Sequence, residues 1–177
     1  MRNFRFERIM KKYRNAIYSY AYYFSGSHED AEDLTQEALI KIWRNMPVMR
    51  PFPGKSWVMK VTRNHCIDWA RARKTDCAGL VSPGAAAHYC KVSESHIIRN
   101  VDRNELKKKI EAAIAGLPVC LRETIILREI QGMKYEEISR ALDMPLNTVR
   151  ANIHRGRRLM REHLNAAYGR EFQRRCV

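Results

Sequence analysis

Three things are missing from this sequence, and each absence narrows what the chain can be. No apolar run approaches the roughly 18 residues that a membrane-crossing helix needs, and the first residues, Met1-Arg-Asn-Phe-Arg-Phe-Glu, lack the apolar stretch of a secretion signal. Cysteine is sparse: Cys66, Cys77, Cys90, Cys120 and Cys176 make an odd, widely scattered set of five without a C-x-x-C pair. That excludes a disulfide framework and a zinc finger, and the chain reads as cytoplasmic, without membrane insertion. Catalytic signatures are missing as well. There is no phosphate-cradling glycine loop, no H-E-x-x-H and no metal-ligand spacing, so the expectation is a protein that is not an enzyme and needs no cofactor. His65 beside Cys66 is more simply a satisfied helix position than a ligand.

Acidic residues are also scarce, 19 against 33 Lys and Arg over 177 residues, for a formal charge of +14 and a pI near 9.9. Such a balance suits a polyanionic partner, because Lys and Arg that neutralise phosphates release counterions. The excess is unevenly placed. Asn15 to Ile40 contains no Lys or Arg but does hold Glu29, Asp30, Glu32, Asp33 and Glu37. Arg150 to Arg175 carries eight arginines against two glutamates. A protein that merely coated nucleic acid would gain nothing from the acidic block, so two partners of opposite surface charge are expected, unless that block is simply a solvated helix face.

Strand-like alternation of useful length does not occur, and the fold class read from the pattern is all-α. Phe6, Ile9, Tyr13, Ile17, Tyr20 and Phe24 recur at steps of three and four, one stripe of an amphipathic helix that Gly26 ends. Ser27 with Asp30 resembles a capping box for a second helix with Ala31, Leu34, Ala38 and Ile42 on its apolar side. Asn45 to Lys55, with three prolines and a glycine, is a loop, and Ser56 can cap a third helix from Trp57 to about Lys74. Residues 75–102 lose periodicity and read as a flexible linker. A further helix follows from about Arg103, then Pro118 opens and Gly132 closes the next. The organisation expected is two small helical domains, 1–74 and 103–177, joined by that linker.

The segment from Tyr135 to Arg155 reads as a helix-turn-helix. Ile138 and Leu142 form the inner side of its first helix, Ser139 is small where the helices approach, and Asp143 takes the turn, tolerating a left-handed backbone better than most residues. Val149 and Ile153 face inward from the second helix. Asn147, Thr148, Arg150, Ala151, His154 and Arg155 are left on the face that would enter a major groove, with Arg157 and Arg158 extending it toward phosphates.

With these residues in hand, the sequence resembles the extracytoplasmic-function group of the sigma-70 family. Asp30-Ala-Glu-Asp-Leu-Thr-Gln-Glu-Ala-Leu-Ile-Lys-Ile-Trp is similar to sigma region 2.2, and Ser56-Trp-Val-Met-Lys-Val-Thr-Arg-Asn-His-Cys-Ile-Asp-Trp-Ala-Arg to regions 2.3 and 2.4. Leu117-Pro, Arg122-Glu and the helix-turn-helix ending His154-Arg-Gly-Arg-Arg-Leu are similar to region 4. The resemblance implies an alternative sigma factor whose partners are core RNA polymerase and promoter DNA, with an anti-sigma factor as a further candidate.

It also assigns residues. Asp33, Gln36, Glu37 and, in part, Asp30 match positions that contact polymerase. Arg63, Asn64, Asp68, Arg71, Arg73 and Lys74 match the helix that handles the minus-ten element. Asn147, Thr148, Arg150, Ala151, His154, Arg155, Arg157 and Arg158 fall on the minus-thirty-five reader. The loop before the third helix, where the family captures a flipped base, departs from the pattern in its prolines. The rival reading is an autonomous helix-turn-helix regulator with an N-terminal partner-binding domain. It leaves the acidic helix and the third helix without a task.

Overall fold

The computed structural model describes residues 2–46, 54–77 and 101–175, with side chains over 3–46, 54–73 and 105–166. Every described element is helical: α1 (Arg2–Ser25), α2 (His28–Asn45), α3 (Lys55–Cys77), α4 (Val101–Ala115), α5 (Val119–Ile125), which continues as a π-helical turn over Ile126–Ile130, then α6 (Tyr135–Leu142) and α7 (Leu146–Arg175). The loop residues 47–53 and the linker residues 78–100 lie outside the described set.

The α1 stripe does what its spacing predicts. Ile9, Tyr13, Ile17, Tyr20 and Phe24 are all buried, against Ala31, Leu34, Ala38 and Ile42 of α2 and Val58 and Met59 of α3. Gly26 adopts φ 78°, a left-handed stop that costs glycine little. Ser27 then accepts from the Asp30 N–H at 3.3 Å and starts α2. Trp57 packs partly buried against the core formed by Ile9, Ile17 and Ile42. One local expectation changes: α3 begins at Lys55, two residues earlier than a Ser56 cap would put it, because the Gly54 carbonyl already accepts from Trp57 and Val58.

The C-terminal half packs α5 against α7. Gly156 is buried there, and a β-carbon on it would lie 2.6 Å from Ile125 Cγ1, so the absent side chain lets the two helices touch. Past Ile125 the helix widens into its π turn, with the Gln131 N–H reaching the Ile126 carbonyl at 3.0 Å. Gly132 at φ 62° ends it.

The two halves share a core. Tyr20, Ala21 and Phe24 of α1 and Met59 and Cys66 of α3 join one apolar cluster with Ile114, Leu117, Leu121, Ile125, Ile138 and Val149. Polar contacts reinforce it: Arg122 donates to the carbonyl of Phe24 as well as to those of Leu117 and Ala115, and Gln131 Nε2 donates to the Ala16 carbonyl at 3.0 Å.

Candidate nucleic-acid and partner interfaces

The clearest local geometry is the turn between α6 and α7. Asp143 stands at φ 51°, ψ 43°, the left-handed conformation expected of it, and is the only described non-glycine residue with positive φ. The Lys134 N–H at the start of α6 is accepted by Glu137 at 2.8 Å, and Ser139 closes the turn by donating to the Met144 carbonyl. Ile138, Leu142, Val149 and Ile153 are buried, which fixes how α7 is rotated. Asn147, Thr148, Arg150, Ala151, His154, Arg155, Arg157 and Arg158 are all exposed as a result. Three of these arginines are held in place: Arg155 by Asn152 at 2.9 Å, Arg157 by Glu129 at 2.7 Å, and Arg158 by Glu162 at 3.8 Å. Glu129 also favours the charged form of Arg157, raising its pKa.

The acidic helix α2 presents Asp33, Gln36 and Glu37 to solvent on the side away from Ala31, Leu34 and Ala38. Ile40, 49% exposed, continues that face one turn on. An exposed isoleucine beside carboxylates is how a protein-binding face is commonly built, apolar contact flanked by charge. Asp30 is different. Its backbone is capped by Ser27, while its side chain takes Arg73 at 3.0 Å, so a residue matched to polymerase contact is tied to one matched to DNA.

His65 is buried between α3 and α2. Lys41 Nζ lies 2.9 Å from Nδ1, and an ammonium can only donate, so neutral His65 carries its proton on Nε2, 3.0 Å from Glu37. Burial, followed by Lys41, lowers the pKa of His65, with Glu37 and Asp68 opposing.

The third helix carries the matched minus-ten residues in three settings. Asn64 is exposed. Asp68 lies 3.9 Å from Lys41 and 4.0 Å from Arg71, and Arg73 also covers the Trp69 ring at 4.6 Å. The Lys74 side chain lies outside the described residues. Arg63 is engaged elsewhere: its Nε and Nη2 grip both oxygens of Glu123 in α5, at 2.9 and 3.3 Å. Glu123 is 1% exposed, and burial raises its pKa against the opposing pull of Arg63. Lys60 meets Asp143 at 2.6 Å, and Lys55 donates to the Gln131 carbonyl. Sequence reasoning missed Lys60, Glu123 and these pairings. The single local signal was a Glu–Arg pair set inside the apolar run of α5.

A helical chain with a helix-turn-helix whose outer face is exposed and basic, and with a separate acidic helix, is by class a DNA-reading transcription protein. Comparison with known proteins narrows the class. Residues 9–75 match Sigma-70 region 2 and residues 107–160 match Sigma-70, region 4. The chain is 32% identical over 161 residues to ECF RNA polymerase sigma factor SigE of Mycolicibacterium smegmatis, across 89% of this chain and 61% of that protein. It is 30% identical over 167 residues to ECF RNA polymerase sigma factor SigW of Bacillus subtilis, across 90% and 88%. The chain therefore belongs to the ECF group of the sigma-70 family, whose members are transcription-initiation factors rather than enzymes.

The fold agrees. The sigma factor RpoE of Bartonella quintana, crystallised with the anti-sigma factor NepR, aligns at a TM-score of 0.70 with 24% identity, over 90% of this chain and 96% of that one. CnrH, solved with the cytosolic domain of CnrY, aligns at 0.67 with 21% identity, over 91% and 88%. Among the described residues no helix is long and apolar enough to cross a membrane.

Proposed function

We propose that this chain directs bacterial core RNA polymerase to a particular set of promoters, with residues 1–74 engaging polymerase and the minus-ten element and residues 103–177 reading the minus-thirty-five element. The observation that carries this reading is the separation of two exposed faces of opposite sign. Asp33, Gln36, Glu37 and Ile40 stand on α2, within the region 2 match, while Asn147, Arg150, His154 and Arg155 stand on α7, within the region 4 match. One face suits a basic protein surface, the other a phosphate-lined groove. Such a protein works in the cytoplasm beside polymerase, and an anti-sigma factor is a partner in keeping with the family. The assignment of α2 is tested by affinity for purified core polymerase. Reversing charge at Asp33 and Glu37 together should weaken binding at least about tenfold, the equivalent of about 1.4 kcal/mol, with helicity unchanged. Wild-type affinity in the double variant would move the polymerase contact elsewhere.

A further inference from the structure

His65 sits where α2 and α3 meet, and it is the buried member of a small polar cluster between them. Its side chain is 7% exposed. The charged groups that face it among the described residues are Glu37 and Lys41 of α2 and Asp68 of its own helix, and all three reach solvent. Lys41 bridges the set, 2.9 Å from His65 Nδ1 and 3.9 Å from Asp68, with Arg71 a further 4.0 Å from Asp68. One buried ring thus touches a carboxylate on the outer face of α2 and, through Lys41, a carboxylate of α3.

The two ring nitrogens stand in unequal positions. Nδ1 has an ammonium as its neighbour, which can only donate, so Nδ1 keeps a lone pair and the proton of the neutral ring belongs on Nε2. Nε2 is closed off from solvent and has no aligned hydrogen bond among the described residues. A buried donor left unmet is costly, and Glu37 Oε2, 3.0 Å away, is the carboxylate placed to meet it. The neutral ring therefore draws Glu37 toward α3, while 63% of the Glu37 side chain stays in water. The carboxylate is held without being hidden.

Taking up a proton reverses this. The proton enters at Nδ1, the remaining lone pair of the ring, where Lys41 already donates. Two donors cannot share that line, so Lys41 is displaced toward Asp68 or toward Glu37, one turn before it on α2. The ring becomes a cation 3.0 Å from Glu37. One positive charge is added beneath the acidic face and a second is freed beside it, which weakens the pull of that face on a basic surface.

We propose, resting on the assignment of α2 to polymerase above, that His65 is a positioning residue for polymerase binding: neutral, it holds Glu37 on the α2 face, and protonated, it cancels Glu37 and releases Lys41, so that the chain binds polymerase more weakly on acidification. Burial and then Lys41 oppose the proton, while Glu37 and Asp68 favour it, and the balance puts the change below the usual histidine value near 6.5. A basic partner surface opposes the proton further, and by linkage protonation and polymerase binding weaken each other equally.

The test is the affinity of the full chain for purified core polymerase between about pH 7.5 and 5.5, with helicity followed at each pH. Wild type should weaken by about threefold over that range, inside the limit of about tenfold set by one pH unit below the usual histidine value. His65→Gln keeps a donor for Glu37 and an acceptor for Lys41 but takes no proton, and its affinity should stay level. Lys41→Gln removes the ammonium from Nδ1, and the loss should begin at higher pH. In the free chain, proton titration of the ring followed by NMR should move to lower pH in Glu37→Gln.

Equal pH dependence in wild type and His65→Gln would overturn the proposal. So would a His65 ring that titrates identically in wild-type and Glu37→Gln chains of native helicity. Failure of the α2 assignment has a different signature: reversing charge at Asp33 and Glu37 would then leave the affinity for core at its wild-type value at pH 7.5. A failure confined to His65 leaves that reversal damaging.

Discussion

Two helices carry the cations that the sigma assignment turns toward DNA, and they are presented in opposite ways. On α7 the basic side is exposed over its described side chains, and Arg155, Arg157 and Arg158 are paired with Asn152, Glu129 and Glu162. On α3 Arg63 reaches across to Glu123, buried to 1% exposure, and Lys60 reaches Asp143. The contrast teaches that a basic helical face is set by local sequence, whereas its availability is set by what packs on it. Exposed ion pairs contribute at most about 1 kcal/mol, while removing one partner of a buried pair leaves a charge uncompensated.

That difference can be broken by mutation. The largest effect is expected at Arg63. Arg63→Ala should lower unfolding stability by about 3 kcal/mol, the low end for a broken buried pair because Arg63 itself is 24% exposed, whereas Arg150→Ala should stay within about 0.5 kcal/mol. Chemical denaturation of the two variants decides this, and equal stabilities would dissolve the distinction between the helices. Next in size, Asn147→Ala should cost about 1–3 kcal/mol of discrimination at one upstream base, read by selecting promoter sequences with the reconstituted polymerase complex. An unchanged consensus would remove Asn147 from the readers.

Gly156→Ala probes how α7 is seated. The added methyl meets Ile125 Cγ1 at 2.6 Å, and overpacking should outweigh the better helix propensity of alanine, for a net loss of about 1 kcal/mol in thermal unfolding. A stabilised variant would show that the two helices part easily. Arg157→Ala should have a smaller effect, weakening all upstream sequences alike and reducing the slope of log affinity against log salt by about one. Loss of preference for one sequence alone would make Arg157 a base reader.

The smallest effect is a pH dependence on the α3 side. His65 has a folded pKa below the usual histidine value, so the unfolded chain takes up its proton first as pH falls. Its contribution to stability is therefore complete above the usual value near 6.5 and declines as pH drops through and below it. His65→Gln should flatten the stability profile between about pH 7.5 and 5.5, where the wild type slopes downward on acidification. A profile unchanged by the substitution would assign the slope to other groups.

Much of this architecture was legible because its causes are local. The α1 stripe, the Ser27 cap and the left-handed Asp143 each follow from residues within a turn or two, where periodicity and backbone preference act. Exposure of the α7 face followed from the same logic, since burying Val149 and Ile153 fixes the opposite side. The Arg63–Glu123 and Lys60–Asp143 pairs were not legible. They join residues 60 and 83 positions apart, across a linker, and an ion pair between helices leaves no periodic trace in either. The pairing of Asp30 with Arg73 was missed for a related reason. The place of Asp30 in the first turn of α2 suggested cap or contact, and its side-chain partner, Arg73, lies on the neighbouring helix α3, 43 residues on in sequence. The exposed Ile40 could have been found, since it falls one turn beyond Gln36 and Glu37 on the face opposite Ala38.

The central claim is that this chain confers promoter-specific initiation on polymerase. Run-off transcription tests it most directly, with core polymerase and a library of duplex templates, with and without the purified full-length chain. The account predicts discrete transcripts from a subset of templates only when the chain is present, lost when Asp33 and Glu37 are charge-reversed and redirected to other templates when Asn147 is replaced. Templates transcribed equally with and without the chain, together with tight sequence-specific duplex binding by the chain alone, would contradict it and make the protein an autonomous DNA-binding regulator.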